Sequence, residues 1–246
     1  MKTETVISIK NLYKAFGQQK ILNGIDLNLN KKENLVILGK SGTGKSVLIK
    51  CIVGLLTPDA GDISVLGQST IGLEKKKLNE LRKKIGFLFQ SGALYDSMNV
   101  KENLEFPLKR IRKDLDEKQR LNKIHEVLEN VGLAEALYKT PGQLSGGMRK
   151  RIGLARTLIV DPEIMLYDEP TTGLDPVTSE EISLLINDVR KKYNTSSIII
   201  THDLACARNT SDRLVLLMEG KIKAEGTYDA LRNHSDSSVR EFLKDT

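Results

Sequence analysis

The segment Gly39-Lys-Ser-Gly-Thr-Gly-Lys-Ser46 has the spacing G-x-x-x-x-G-K-[ST], which suits the phosphates of a nucleoside triphosphate. Glycines let backbone N–H groups curl around phosphate oxygens, and a helix starting at the end of the loop adds its positive dipole end. Lys45 is placed to reach the β and γ phosphates, and Ser46 to ligate Mg²⁺. Gly39, Lys40, Ser41, Gly42, Thr43, Gly44 and the following Val47 complete the set expected against the nucleotide. Two further places carry matching chemistry. Ile164-Met-Leu-Tyr-Asp168-Glu169 ends an apolar run in two acids, of which Asp168 suits Mg²⁺, directly or through water, and Glu169 suits an attacking water. His202 follows Ser197-Ile-Ile-Ile-Thr201 and can donate a hydrogen bond to the γ phosphate or the water. Taken singly, these are a glycine turn, a solvated acidic turn and a surface histidine. Their joint occurrence, each directly after a strand-like run, favours nucleotide hydrolysis.

The elements that must position these groups are legible in the apolar pattern. Leu35–Leu38, Ile164–Tyr167 and Ser197–Thr201 read as buried strands of a parallel sheet, each delivering polar residues at its C-terminal edge, where open α/β sheets bind ligands. Val47, Leu48, Cys51, Ile52 and Leu55 mark an amphipathic helix after the loop. Residues 5–30 and 61–70 alternate, with turn signals at Phe16-Gly17 and Leu66-Gly67, and predict antiparallel strands added to the core. Between about 91 and 160 no clear strand is seen, and Leu121, Ile124, Val127, Leu128 and Val131 keep a helical stripe. The expectation is an α/β fold: a mainly parallel sheet, an N-terminal antiparallel β part and a helical subdomain, within one nucleotide-binding domain over residues 1–246.

With 246 residues and 39% hydrophobic content the chain can bury a sizeable core. No apolar run is long enough to cross a bilayer, and Met1 to Lys10 lack the apolar stretch of a signal peptide, so a cytoplasmic location is expected. Cys51 and Cys206 lack metal-ligand spacing and read as reduced core thiols. The net charge of +6 comes from dispersed basic pairs, which favours a solvated surface over a nucleic-acid footprint.

Leu144-Ser-Gly-Gly-Met148 resembles the signature of ATP-binding cassette (ABC) proteins, and nearly the whole chain is similar to that family. Ser145 also reads as the N-cap of a helix through Ile152, Leu154, Ala155 and Leu158, and both roles are compatible. The resemblance implies a P-loop ATPase core that uses ATP and Mg²⁺. It implies that Phe16 stacks on adenine, although a core or turn aromatic remains open, and that Gln90 senses Mg²⁺ and the attacking water. It also implies that Asp175 lies in the loop linking two active sites, the alternative being a turn before a Thr178/Glu181 capping box. In the family, the signature of one subunit completes the phosphate loop of another. Ser145, Gly146 and Gly147 are therefore expected to contact nucleotide held by a second copy, in a head-to-tail dimer. Met148, Lys40 and Val47 stand where the family commonly has glutamine, proline and threonine, and none is a group assigned to chemistry.

Phe89 to Val100, Glu102-Asn103, Phe106-Pro107-Leu108 and Ser238 to Leu243 resemble the Mla-type ATPases that drive phospholipid movement across the bacterial envelope. That resemblance implies integral-membrane permease subunits, accessory and lipid-binding subunits, and a peripheral position on the inner face of the membrane. Leu94, Tyr95 and Met98 are then candidates for docking the permease, or for packing within the helical insertion. The chain ends soon after Leu243, so dimer contacts are expected mainly from nucleotide and permease. The alternatives are the ATPase of another ABC transporter, such as a small-solute importer, a soluble ABC ATPase acting on nucleic acid, and a nucleotide-gated module without turnover. No nucleic-acid partner is expected.

Overall fold

The computed structural model describes residues 4–244; Met1 to Thr3 of the N-terminal stretch read above lie outside it. Two sheets form. One is antiparallel, in the order β2-β1-β4-β5, from β1 (Thr5–Phe16), β2 (Gln19–Asn30), β4 (Ala60–Val65) and β5 (Gln68–Ser69). Its turns fall at the expected places, with Gly17 at φ 59° and Leu66 and Gly67 at φ 49° and 77°. β1 and β2, at 12 residues each, are longer than the short segments the alternation suggested, because bulges carry the pairing through breaks in the pattern.

The second sheet runs β10-β9-β3-β8-β7-β6. It comprises β3 (Asn34–Leu38), β6 (Ile85–Leu88), β7 (Ile164–Asp168), β8 (Ser196–Thr201), β9 (Arg213–Met218) and β10 (Lys221–Gly226). All neighbours are parallel except β9 and β10. Successive strand residues point to opposite faces, and this divides the core in two. Leu35, Ile37, Ile164, Leu166, Ile198 and Ile200 pack toward the antiparallel sheet and α1 (Lys45–Ile52). Val36, Leu38, Met165, Tyr167 and Ile199 pack toward the helices on the other side. Each fully buried aliphatic contributes about 1.5–3 kcal/mol, more than the roughly 1 kcal/mol of a typical hydrogen bond. Packing therefore holds the strand ends in register.

The helical insertion is α3 (Val100–Ile111), α4 (Glu117–Asn130) and α5 (Gly146–Leu158) with two short 3₁₀ turns, and it falls within the expected 91–160. α3 and α4 each begin in a capping box, Asn99 with Glu102 and Asp116 with Gln119. On α4 the stripe is observed, with Ile124, Val127 and Leu128 buried and Leu121 half-buried. Also present are α2 (Lys75–Arg82), α6 (Pro176–Tyr193), α7 (Leu204–Thr210), α8 (Tyr228–Arg232) and α9 (Ser237–Phe242). Two details differ from expectation. α1 ends at Ile52, so Leu55 lies past it and is 54% exposed. α6 is capped by Asp175 itself, accepting from the Thr178 N–H, and Glu181 pairs instead with Arg151 at 2.8 Å.

Candidate functional site

Four neighbouring parallel strands, β3, β8, β7 and β6, end on one edge of the sheet. The pairing of Leu38 with Thr201, Asp168 with Ile200, and Leu88 with Tyr167 fixes their mutual height. The residues just beyond those ends therefore converge: the glycine loop, His202, Asp168 with Glu169, and Gln90. They line a cavity of about 270 Å³ with Ile21, Ser41, Gly42, Gly44, Lys45, Ser46 and Val47.

The geometry of the loop suits an anion. Gly42 and Gly44 stand at φ 81° and 103°, a left-handed backbone that only glycine adopts without strain. A Cβ on Gly44 would meet the Ile21 carbonyl at 2.9 Å. α1 starts directly after Gly44 with no side-chain cap and no acid in its first turn, so its first N–H groups are left for an outside acceptor. By contrast α3, α4, α5 and α6 are all capped by a side chain. Lys45 is 5% exposed, and its Nζ donates to the carbonyls of Gly39 at 2.7 Å and Lys40 at 3.1 Å. Gly39 is buried under the loop, Thr43 donates to the Lys40 carbonyl at 2.9 Å, and Lys40 itself is exposed.

The acids take opposite parts. Alternation along β7 sends Tyr167 into the helical side and Asp168 toward α1, where the Ser46 hydroxyl donates to its Oδ1 at 3.2 Å. Burial pushes the Asp168 carboxyl above its usual range, the Ser46 hydrogen bond opposes that, and the Glu169 charge adds to it. A hydroxyl, a half-buried carboxylate and the Gln90 amide form a sparse oxygen set. It fits Mg²⁺ sharing phosphate and water ligands rather than an all-protein cage, and among the described residues no cluster of three His, Cys, Asp or Glu is gathered. Glu169 leaves the strand at φ 51°, which turns its side chain across the cavity. Its Oε1 lies 3.3 Å from Lys45 Nζ and its Oε2 lies 2.8 Å from His202 Nδ1. His202, 52% exposed, thus bridges solvent and an acid that is 12% exposed.

The remaining expected residues lie elsewhere. Phe16 ends β1, is 49% exposed with Lys14 Nζ 5.5 Å from its ring, and does not line the cavity; it is not a core aromatic. Ser145 caps α5, accepting from the Met148 N–H at 3.2 Å. Gly147 packs so tightly on α6 that a Cβ would meet Thr178 Cγ2 at 2.5 Å, and Gly146 adjoins Leu174. The signature and Asp175 therefore share one surface, outside the phosphate cavity of their own chain. The Thr178 hydrogen bonds hold the Asp175 carboxyl below the usual range.

Two residues organise this region, Asn103, which the sequence reading quoted only as part of a resemblance, and Lys150, which it did not single out. Asn103, fully buried, accepts from the Tyr95 N–H and donates to the carbonyls of Tyr95, Met98 and Asn99, so it shapes the loop after Gln90. Lys150, 6% exposed on α5, donates to the Gln90 carbonyl and, at 3.2 Å, to that of Glu169. The available signal was a lysine on the same helical face as Gly147 and Leu154.

The ABC transporter family profile matches residues 22–172. The chain is 40% identical over 243 residues to a probable ribonucleotide transport ATP-binding protein of Mycobacterium leprae, covering 99% of this chain and 70% of that one. It is 39% identical to a methionine import ATP-binding protein of Rhizobium etli, covering 98% of this chain and 66% of the relative. It thus spans about two thirds of the length of these relatives. A solved ATP-binding cassette dimer in a post-hydrolysis state with ADP and Pi superposes with TM-score 0.80 at 31% identity, covering 90% of this chain and 98% of that one. cbiO1 of Clostridium perfringens, part of the ABC transporter complex cbiONQ, gives TM-score 0.84 at 25% identity, covering 98% and 100%.

Proposed function

The chain belongs to the ABC transporter family and is an ATP-binding, ATP-hydrolysing transporter subunit that uses Mg²⁺, and on that premise we propose how its residues divide the work and what its complex moves. The glycine loop, Lys45 and the uncapped start of α1 bind the phosphates. Ser46, Asp168 and Gln90 would hold Mg²⁺, which when bound neutralises charge on the β and γ phosphates. Glu169 is the general base: its position beyond β7 points it across the cavity, and His202, hydrogen-bonded to its Oε2, fixes its orientation. Phe16, exposed at the end of β1, supplies the stacking face for adenine.

The observation that carries the rest of the reading is the separation of Ser145, Gly146, Gly147 and Asp175 from their own chain's phosphate cavity. The Ser145 side chain caps only the Met148 N–H of α5, so the Gly146 and Gly147 N–H groups at this helix start, outside their own chain's cavity, are suited to a γ phosphate held by a second copy. Two chains then close head to tail over two nucleotides, and hydrolysis releases them, a two-state cycle that drives a permease. The protein itself has no helix, among the described residues, long and apolar enough to cross a membrane. Its place at the inner face of the membrane therefore depends on the permease. The docking face is the exposed Tyr95, edge-on to Phe106 at 5.1 Å and covered by Arg156 at 4.8 Å; Leu94 packs inward against the helical core.

The cargo we propose is phospholipid, supported by the resemblance of residues 89–108 and 238–243 to Mla-type ATPases. The names of the relatives point to ribonucleotide and methionine, so a small-solute importer is the second reading. Isolating the native membrane complex and identifying its subunits and co-purifying lipids decides between them. A permease with accessory lipid-binding subunits and bound phospholipid supports the first, and an amino-acid or nucleotide permease without lipid overturns it.

A further inference from the structure

Lys150 is a charged side chain buried on the signature helix, and its two hydrogen bonds go to backbone carbonyls rather than to a carboxylate. Nζ donates to the carbonyl of Gln90, two residues past the end of β6, and to that of Glu169, the residue directly after β7. Neighbouring positions on the same face of α5 grip the same loop. Gly153 lies so close to Gly92 that a Cβ would meet its carbonyl oxygen at 2.9 Å, and Arg156 donates to the Ala93 carbonyl. Among these contacts only Lys150 reaches both strand ends. Glu169 sits at φ 51°, a conformation that an ordinary side chain holds only when its surroundings fix it. A donor on its carbonyl is such a fixture. Lys150 itself does not line the phosphate cavity.

We propose that Lys150 is a positioning residue for hydrolysis: by binding the carbonyls of Gln90 and Glu169 at once, it ties the signature helix of a chain to the two catalytic groups of that same chain. The inference rests on the reading that Gln90 and Glu169 act on the nucleotide. Any shift of α5, the helix that carries Ser145 to Gly147, then moves the backbone from which Gln90 and Glu169 project. Burying a charge is costly even when two carbonyls accept from it, and here the cost serves the connection of two loops that follow different strands.

The test is a double-mutant cycle in the full chain, with ATP turnover, ADP affinity and thermal unfolding measured on Lys150→Met, Gln90→Ala and the pair. Lys150→Met is expected to lower kcat about tenfold or more, while ADP affinity, which reads the phosphate loop, changes less than about twofold. The pair is expected to be slower by clearly less than the product of the two single effects, because the part of the Lys150 effect that passes through Gln90 is already lost in Gln90→Ala. A Lys150→Met chain that turns over within about twofold of wild type, or rate effects that multiply independently, overturns the proposal. If Lys150→Met does not fold, Lys150→Gln, which keeps N–H donors at shorter reach, goes through the same cycle with the same expected signs. If Gln90→Ala and Glu169→Gln both hydrolyse ATP at the wild-type rate, the underlying site reading fails; if they are impaired and the Lys150 variants are not, this inference alone fails.

Discussion

Replacing Glu169 by glutamine separates its two partners, Lys45 and His202. Glu169 Oε1 lies 3.3 Å from Lys45 Nζ, with the two side chains 12% and 5% exposed. At that distance the attraction is about 5 kcal/mol for an effective dielectric near 20 and about 1 kcal/mol in water. Desolvation cancels part of it. A quarter of the larger figure, about 1.3 kcal/mol, is still close to tenfold in an equilibrium constant. To engage phosphate, Lys45 must leave Glu169, and the phosphate must also approach the Glu169 charge. Both costs vanish in Glu169→Gln. Affinity for ADP, which lacks the γ phosphate that would close a dimer, is therefore expected to rise about tenfold, while ATP turnover falls about 10²–10⁴-fold with the general base removed. Isothermal titration with ADP·Mg and phosphate release under ATP saturation give the two numbers. Unchanged or weakened ADP affinity would refute the idea that Glu169 holds Lys45 back, and near-wild-type turnover would refute its role as base.

Asp168→Asn removes a carboxylate that burial disfavours. The folded pKa stands above the ordinary 3.8, so the folded state holds the proton more tightly and stability falls as pH rises through the raised value. At pH 7 without nucleotide the variant is expected to be more stable by about 0.5–2 kcal/mol, read as about 2–4 °C in Tm per kcal/mol, with that pH dependence gone and Mg²⁺-supported turnover lost. A less stable variant contradicts this. Gly44→Ala forces a Cβ to 2.9 Å from the Ile21 carbonyl at φ 103°, and is expected to cost about 1–3 kcal/mol and to weaken ADP binding. Wild-type Tm and ADP affinity would show that the loop is not held there. His202→Ala is expected to lower kcat while leaving ADP affinity intact, because its ring meets Glu169 rather than the loop; an equal loss of both in titration and turnover assays would place it on the nucleotide instead.

Much of this site could be read from the chain because its parts are local. Loop, acids and histidine each follow directly on an apolar strand, and three of the four strands that converge were recognisable as Val-, Ile- and Leu-rich runs. β6 was harder: Ile85-Gly-Phe-Leu is four residues with a glycine inside, too short for periodicity to separate strand from loop. β9 and β10 were passed over although Leu214 to Leu217 is a continuous apolar run. Lys150 and Asn103 were illegible for a different reason. Their roles are contacts to backbone carbonyls and amides brought close by the fold, and no side-chain pattern advertises a backbone acceptor. Leu55 failed because the glycine at position 54, at φ 66°, stops the helix its spacing would have continued.

The central claim is that the phosphate loop of one chain is completed by the signature of another. Mixing two inactive variants tests it directly. Lys45→Ala spoils the loop, and Gly146→Asp places a carboxylate at the half-buried start of α5, where a Cβ meets only Leu174 at 3.4 Å. In a head-to-tail dimer each mixed pair holds one site with both halves intact, so an equimolar mixture is expected to recover about a quarter of the wild-type sites, read as ATP turnover above that of either variant alone. Turnover in the mixture that stays at the level of the separate variants would contradict the composite site.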